Sequence, residues 1–363
     1  MLRVFEAFAG YGSQSIALRN LGIEYEVVAI SEIDKYAIKA YEAIHGPTNN
    51  LGDICKIDPN DIPDHDLFTY SFPCQDLSVA GKQAGLGKGT RSGLLYECEK
   101  VIEAKKPKYL LLENVKNLVG KKFKTEFNKW LEYLESLGYT NYWKVLNAKD
   151  YGVPQNRERV FVVSILGEHE PYEFPDKMPL DKCIADILED EVDEKYYLSK
   201  EIQNRFKLTN QNKNIIGTTK PDFRTIGQRD LVYSTDGVMG ALVATDYKQP
   251  KQIVLPCICA SRGRNPDNPS DRTPGAPTEQ RLEFNTKGTS NTITTVQKDN
   301  YVVESSFRIR KLTPRECFRL MGMRDDDIDK IQEAGISNTQ QYKLAGNRIV
   351  VDVLETIFRN LFL

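Results

Sequence analysis

Short apolar runs alternate with amphipathic segments over the first 166 residues of the chain. The runs fall at residues 2 to 8 (LRVFEAF), 26 to 30 (EVVAI), 67 to 72 (LFTYSF), 108 to 112 (KYLLL) and 160 to 166 (VFVVSIL). Between them QSIALRNL, KYAIKAYEAI and FNKWLEYLESL repeat their apolar positions at helical spacing. This alternation predicts an α/β domain, a mostly parallel, doubly wound sheet with helices on both faces. After LGEHEPYEFPDKMP the pattern changes. From about 175 to 305 the chain is rich in Asn, Thr, Asp, Lys, Gly and Pro, with short β-like pieces and few helical periods, which predicts a smaller, loop-rich second domain. Helical spacing returns in TPRECFRLM, where Thr313, Pro314 at the first helical position and Glu316 form a capping box, and in IVVDVLETIFRNLF. The expected division is thus 1–174, 175–305, and a segment 306–363 that returns to the first domain. Within the second region DGVMGALVATDYK (236–248) and KGTSNTITTVQKD (287–299) echo one another weakly, and two unrelated hairpins are the simpler reading.

Composition changes this picture little. At 363 residues the chain has ample material for a core. Its net charge of −2 carries no whole-chain signal for a polyanionic partner, so charge has to be read locally. There are seven cysteines, an odd number; only Cys257 and Cys259 lie close together, without the second pair that a zinc site needs. No metal is expected, and cysteine usage points to a reducing, intracellular setting. The amino terminus lacks a basic stretch followed by an apolar run, and no stretch approaches the roughly 18 consecutive apolar residues of a membrane span. A soluble, cytoplasmic protein is expected.

The first strand runs directly into FAGYGSQSIALRNLG. Gly10 and Gly12 permit a tight turn in which backbone amides and a helix amino terminus approach a ligand. Alone, this is a weak signal, since an ordinary glycine turn has the same pattern. Glu32, twenty residues beyond Gly12 at the end of the second strand, strengthens it, because an acidic side chain there can accept hydrogen bonds from both ribose hydroxyls. Asp53 in LGDI adds a third polar group. Ser15 stands where a pyrophosphate fingerprint has its last glycine, so a nucleoside without a pyrophosphate fits better.

Chemistry concentrates further on. Cys74 follows the strand 67 to 72 and Pro73, at the carboxyl end of a strand where a doubly wound sheet presents ligands. A cysteine after a strand is more often a small buried hydrophobe, but here a glycine-rich segment, QDLSVAGKQAGLGKGTRSG, follows it. Glu113 follows the apolar run of KYLLLENV and can reach the same rim. Arg157 and Arg159, two residues apart in a β-like stretch, would place both guanidinium groups on one face. None of the chain's three histidines adjoins Cys74 in sequence, so a Cys-His pair would need tertiary proximity and is not suggested.

With FEAFAGYGS, ISEIDKYA, GDI, FPCQ, ENV, QNRER, RKLTPRECFRLMG and LAGN in this order, the chain resembles bacterial-type DNA (cytosine-5) methyltransferases over nearly its whole length. VFEAFAGYGSQ, and FTYSFPCQDLSV with TRSGLLYE, are most similar to the mollicute enzymes that methylate CG, although the variable region does not follow them. The resemblance implies a Rossmann-like catalytic domain using S-adenosyl-L-methionine and a target-recognition domain. It implies that Cys74 adds to C6 of cytosine, that Glu113 binds the base at N3 and N4, that Arg159 contacts O2 and that Arg157 holds the arrangement. Phe8, Ala9, Gly10, Gly12, Glu32, Ile33, Asp53, Ile54, Pro73, Leu94 and Asn347 would form the cofactor site, with Arg348 standing where the family has serine after Gly-Asn. Gln75, Ser78, Arg262, Arg264, Thr294 and Thr295 are the candidate DNA contacts. Double-stranded DNA is the expected partner, with a restriction endonuclease acting separately in a restriction-modification setting, and the chain is expected to act as a monomer. An RNA cytosine-5 methyltransferase shares the sheet and the ENV glutamate; the large loop-rich insert favours duplex DNA. A non-enzymatic DNA-binding descendant is disfavoured by retention of the full residue set.

Overall fold

The structure, a computed structural model, describes residues 1–73, 94–199, 207–212, 214–219, 230–235, 237–255, 258–264, 279–285, 300–301 and 308–363. Cys74, Gln75, Ser78, Thr294 and Thr295 lie outside the described residues, and Arg262 and Arg264 are described in backbone only. Two compact units emerge, one made of 1–188, 238–250 and 313–363, the other of 189–237 and 251–312.

The apolar runs of the first unit become β1 (Leu2–Ala7), β2 (Tyr25–Ser31), β3 (Leu67–Tyr70), β4 (Tyr109–Val115), β5 (Tyr139–Asn147), a two-residue β6 (Gln155–Asn156) and β7 (Glu158–Leu166). The main sheet has the order β2-β1-β3-β4-β7-β5. Pairings β1/β2, β1/β3 and β3/β4 are parallel, while β7 runs antiparallel to β4 and β5. Every second residue faces the same side: Phe5 and Ala7, Phe68 and Tyr70, Leu110 and Leu112, Val160 and Val162 share one core cluster. Leu95, Val101 and Ile102 of the helix Leu95–Lys105 and Phe127, Trp130 and Leu134 of the helix Lys124–Ser136 belong to the same cluster. Helix α1 (Ser13–Asn20) packs instead against the helix Val351–Phe362.

β5 is absent from the apolar pattern of the sequence. As the antiparallel edge strand it buries only some of its residues, and Trp143 is left 43% exposed with its ring edge-on to Phe127. A polar, half-solvated strand carries no continuous apolar run to detect.

The capping box forms as expected. Glu316 N donates to Thr313 Oγ1 at 3.2 Å and Thr313 N donates to Glu316 Oε2 at 2.8 Å. The carboxyl-terminal segment packs on the first unit: Arg19 pairs with buried Asp327, and Asn20 Nδ2 donates to Glu355 Oε1 at 2.7 Å.

The expected boundaries at 174 and 305 differ from the division of the units, for a reason that lies in backbone contacts. The turn at Ile184–Ile187 and the residue after it are held by Arg319, whose Nη1 donates to the carbonyls of Ile187 and Leu188 at 3.1 Å each. Residues 238–250 also belong to the first unit, where Met239–Gly240 pairs in parallel with β6. The first echoing segment is therefore no hairpin: it is this short strand followed by a 3-10 turn, Ala244–Lys248. The second echoing segment, 287–299, lies outside the described residues.

The second unit holds a five-stranded sheet in the order Arg308–Lys311, Gln252–Leu255, Leu231–Ser234, Ile215–Thr218, Lys207–Asn212. A three-stranded sheet has Ile258–Arg264 between Glu279–Asn285 and Asn300–Tyr301.

Beneath the turn that follows β1, Glu6 is fully buried and accepts a 2.7 Å hydrogen bond from Ser15 Oγ. Burial pushes its carboxyl up to about 7 from 4.5, with the Ser15 and Tyr41 hydrogen bonds opposing. The folded state thus holds this proton more tightly than the unfolded chain, so the associated stability is present below about 4.5 and lost as pH rises through about 7. Glu6→Gln keeps an acceptor for Ser15 without a charge to bury. It is expected to be more stable than wild type at pH 8, by roughly 3 kcal/mol at about 1.4 kcal/mol per tenfold change in proton affinity. Urea titrations at pH 5 and pH 8 measure this. Equal wild-type and variant stabilities at both pH values would remove the argument.

Candidate active site

β1 ends at Ala7, and the chain turns through Phe8, Gly10 and Gly12, all with positive φ (57°, 67° and 77°). A left-handed aromatic residue costs about 1 kcal/mol or more, a strain that is held where backbone must be presented to a ligand. Phe8 N donates to Ser31 O at 2.7 Å, which couples the turn to the end of β2.

Glu32 follows directly. Its Oε2 accepts from Gly10 N at 2.9 Å and its Oε1 from Ile33 N at 2.8 Å and Asp34 N at 2.9 Å, so three backbone amides fix the carboxylate. Asn50 grips the Glu32 backbone, with Oδ1 accepting from Glu32 N at 3.1 Å and Nδ2 donating to Glu32 O at 3.0 Å. Asp53 caps the turn Ile54–Lys56 through Cys55 N at 3.1 Å.

Phe8, Ala9, Glu32, Ile33, Asp53 and Ile54 line one end of a cavity of about 480 Å³, and the same cavity reaches Pro73, Leu94, Glu113, Arg157, Arg159 and Asn347. Gly10 and Gly12 shape the turn without lining it. Ile33, 72% exposed, stands at its edge with an aliphatic surface open to solvent.

At the other end Glu113 lies in β4, within 3.1 Å of Arg159 Nε. Burial raises the Glu113 carboxyl above its ordinary range; Arg159, Arg157 and Arg348 oppose this without cancelling it. The neighbouring Asn114 Nδ2 donates to Phe72 O at 3.1 Å, which ties the β4 end to the segment that leads to Cys74.

The two arginines share the cavity wall but not a role. Arg157 falls in the break between β6 and β7, 3% exposed, and its guanidinium donates to the carbonyls of Leu242 at 2.6 Å, Arg348 at 2.7 Å and Gly346 at 3.3 Å. Arg159, inside β7, turns to Glu113. Alternation along a single strand does not hold across that break, which is why the two side chains meet different partners. Gln155 completes the clamp, with Oε1 accepting from Leu242 N at 3.0 Å and Nε2 donating to Leu320 O at 2.6 Å. Gly346 must be glycine here, since a Cβ would stand 2.3 Å from the Val243 carbonyl carbon.

Asn50, Asn114 and Gln155 carry no sequence signal of their own. Each binds main chain, and an amide that does so has no spacing signature; Asn114 and Gln155 were signalled only by lying inside ENV and QNRER.

Residues 2–363 match the family described as C-5 cytosine-specific DNA methylase. The Type II methyltransferase M2.ScrFI of Lactococcus lactis subsp. cremoris is 39% identical over 418 aligned positions, covering 100% of this chain and 99% of that protein. The orphan methyltransferase M.SPRI of Bacillus phage SPR is 33% identical, covering 99% and 97%. These relatives do not single out a mollicute likeness. In fold, the S. pombe Dnmt2 methyltransferase superposes with a TM-score of 0.66 at 19% identity over 100% of both chains. Motif order, cavity and relatives converge: the chain belongs to the C-5 cytosine-specific DNA methylases, enzymes that move a methyl group from S-adenosylmethionine to DNA.

Proposed function

We propose that the enzyme methylates C5 of a cytosine flipped out of a specific duplex sequence, with Cys74 as the nucleophile at C6. The observation that carries this is Glu113: a buried carboxyl with raised proton affinity, paired with Arg159 and tied through Asn114 to the chain entering Cys74. Cytosine is too electron-poor at C5 to take a methyl group unaided. Thiolate addition at C6, with the Glu113 carboxyl donating its proton to N3, turns the C5–C6 edge into an enamine. Arg159 neutralises charge at O2, and Arg157 holds the strand break that carries it. After transfer, loss of the C5 proton re-forms the double bond and releases the thiol.

The cofactor supplies an electrophilic methyl on sulfur. The residues present fit it: Glu32, anchored by three amides, offers acceptors to a ribose diol, Asp53 suits an exocyclic amine, and the cavity has the volume of a small-ligand site. Phe8, Ile33, Ile54 and Leu94 supply apolar surface, and Ala9, Pro73 and Asn347 complete the wall.

Flipping costs a few kcal/mol of lost stacking, so a groove-reading surface is needed as well. We assign that task to the second unit, including Arg262, Arg264, Thr294 and Thr295, with Gln75 and Ser78 beside the nucleophile contacting the target region. The enzyme acts as a monomer, alone or beside a separately acting endonuclease; relatives named both Type II and orphan methyltransferases support either setting. Among the described residues no helix is long and apolar enough to cross a membrane.

Bisulfite sequencing of DNA from cells expressing the protein tests this reading. Protected cytosines are expected within one short sequence, and exchanging the whole second unit, residues 189–237 and 251–312, for the corresponding segments of a relative should move that sequence. Methyl transfer to tRNA alone would overturn the DNA assignment, and an unmoved site would overturn the role of the second unit.

A further inference from the structure

The chemistry above gives the Arg348 side chain no task, yet its guanidinium penetrates the turn that builds the cofactor site. Nη1 donates to Phe8 O at 3.1 Å and Nη2 lies 3.4 Å from Glu32 Oε2. The approach is close enough that a Cβ at Gly10 would stand 2.0 Å from Arg348 Cζ, so this glycine makes room for the arginine. The side chain is 16% exposed and lines the cavity.

A guanidinium has five N–H donors and no acceptor. Here its partners are poor. One is a neutral carbonyl; the other is a carboxylate already accepting three backbone N–H groups, at a distance longer than a good charge-assisted bond. Arg348 Nε is buried with no hydrogen-bond partner. A largely buried cation in this condition is only loosely paired, so a second carboxylate brought within reach would be drawn to it. The cofactor brings one anionic group into the cavity, the α-carboxylate of its methionine end. Its ribose hydroxyls also compete for the Glu32 oxygen that Arg348 now faces.

We propose that Arg348 binds the α-carboxylate of the cofactor, giving up Glu32 to the ribose as it does so. The assignment rests on the placement of the adenosine at Glu32 proposed above. A planar fork of two N–H donors matches a carboxylate, which a serine hydroxyl at this position would meet with a single hydrogen bond. Arg348 is then a cofactor-specificity residue, and its backbone carbonyl at the same time holds Arg157 Nη2 at 2.7 Å.

Isothermal titration calorimetry of the full chain tests this with three ligands: S-adenosylhomocysteine, its decarboxylated counterpart, and 5′-methylthioadenosine, which lacks the amino-acid end. Wild type should prefer S-adenosylhomocysteine over the decarboxylated ligand by about 10- to 100-fold, the range of a charged hydrogen-bonded contact. Arg348→Met should lose most of that preference and Arg348→Lys should keep part of it, while 5′-methylthioadenosine, whose ribose competes with Arg348 for Glu32 without offering a carboxylate, binds Arg348→Met at least as tightly as wild type. With 5′-methylthioadenosine affinity intact, an unchanged preference in Arg348→Met, or tighter binding of both amino-acid ligands, would overturn the Arg348 assignment alone. Failure of wild type to bind 5′-methylthioadenosine would overturn the adenosine placement and this assignment with it.

Discussion

Cys74→Ala is expected to reduce methyl transfer to background and to abolish covalent capture of the enzyme by a duplex carrying 5-fluorocytosine at the target. Addition of the thiolate at C6 and methyl transfer to C5 proceed on the fluorinated base, but the last step removes a proton from C5, and fluorine cannot leave as a cation. The adduct therefore persists in the wild type and survives a denaturing gel. The variant should still bind cofactor and DNA, since those contacts rest on other residues. Glu113→Gln is the companion measurement. An amide still hydrogen-bonds to the base but cannot supply a proton to N3, and turnover should fall by about 10²- to 10⁴-fold, the usual contribution of a positioned acid. No Cys74-dependent band on DNA that is otherwise methylated would sink the covalent mechanism. Full activity in Glu113→Gln would remove the proton from the account.

Arg157→Met should destabilise the protein by about 3–5 kcal/mol as well as impair catalysis. The guanidinium is nearly inaccessible and serves the carbonyls of Leu242, Gly346 and Arg348, and methionine fills part of the volume while leaving all three without this donor. Each unsatisfied buried acceptor costs about 1–3 kcal/mol, and partial relaxation keeps the total below their sum. Arg157→Lys retains a charge but not the fork, and should fall between. Urea midpoints compared with turnover separate the possibilities. A variant as stable as wild type but inactive would make Arg157 a contact to substrate rather than a strut.

Legibility from sequence followed the physics of each element. The parallel core strands were visible because burial on both faces leaves continuous apolar runs, and the Thr313–Glu316 box because capping is a matter of residue type at fixed spacing. β5 was hidden by its solvated edge. Residues 238–250 were hidden because their place depends on β6 and on Gly346, distant partners that leave no local trace in composition. In the site, the charged groups Glu32, Glu113 and Arg159 stood out at strand ends; the amides that orient them did not. The split roles of Arg157 and Arg159 required the break between β6 and β7, which two-residue spacing does not reveal.

The first unit is assembled from three stretches of chain, and Asn20 meets its partner Glu355, 335 positions further along the chain, only late in synthesis. On the ribosome this imposes a schedule. At roughly 5–20 residues per second, many seconds separate emergence of the glycine turn from emergence of Asn347 and Arg348. Throughout that interval the apolar surface of α1 awaits the helix Val351–Phe362, and the second unit has its whole sequence available first. Nascent chains of this enzyme therefore carry an open flank for chaperones to shield, and methylation competence arrives late and all at once rather than growing with chain length.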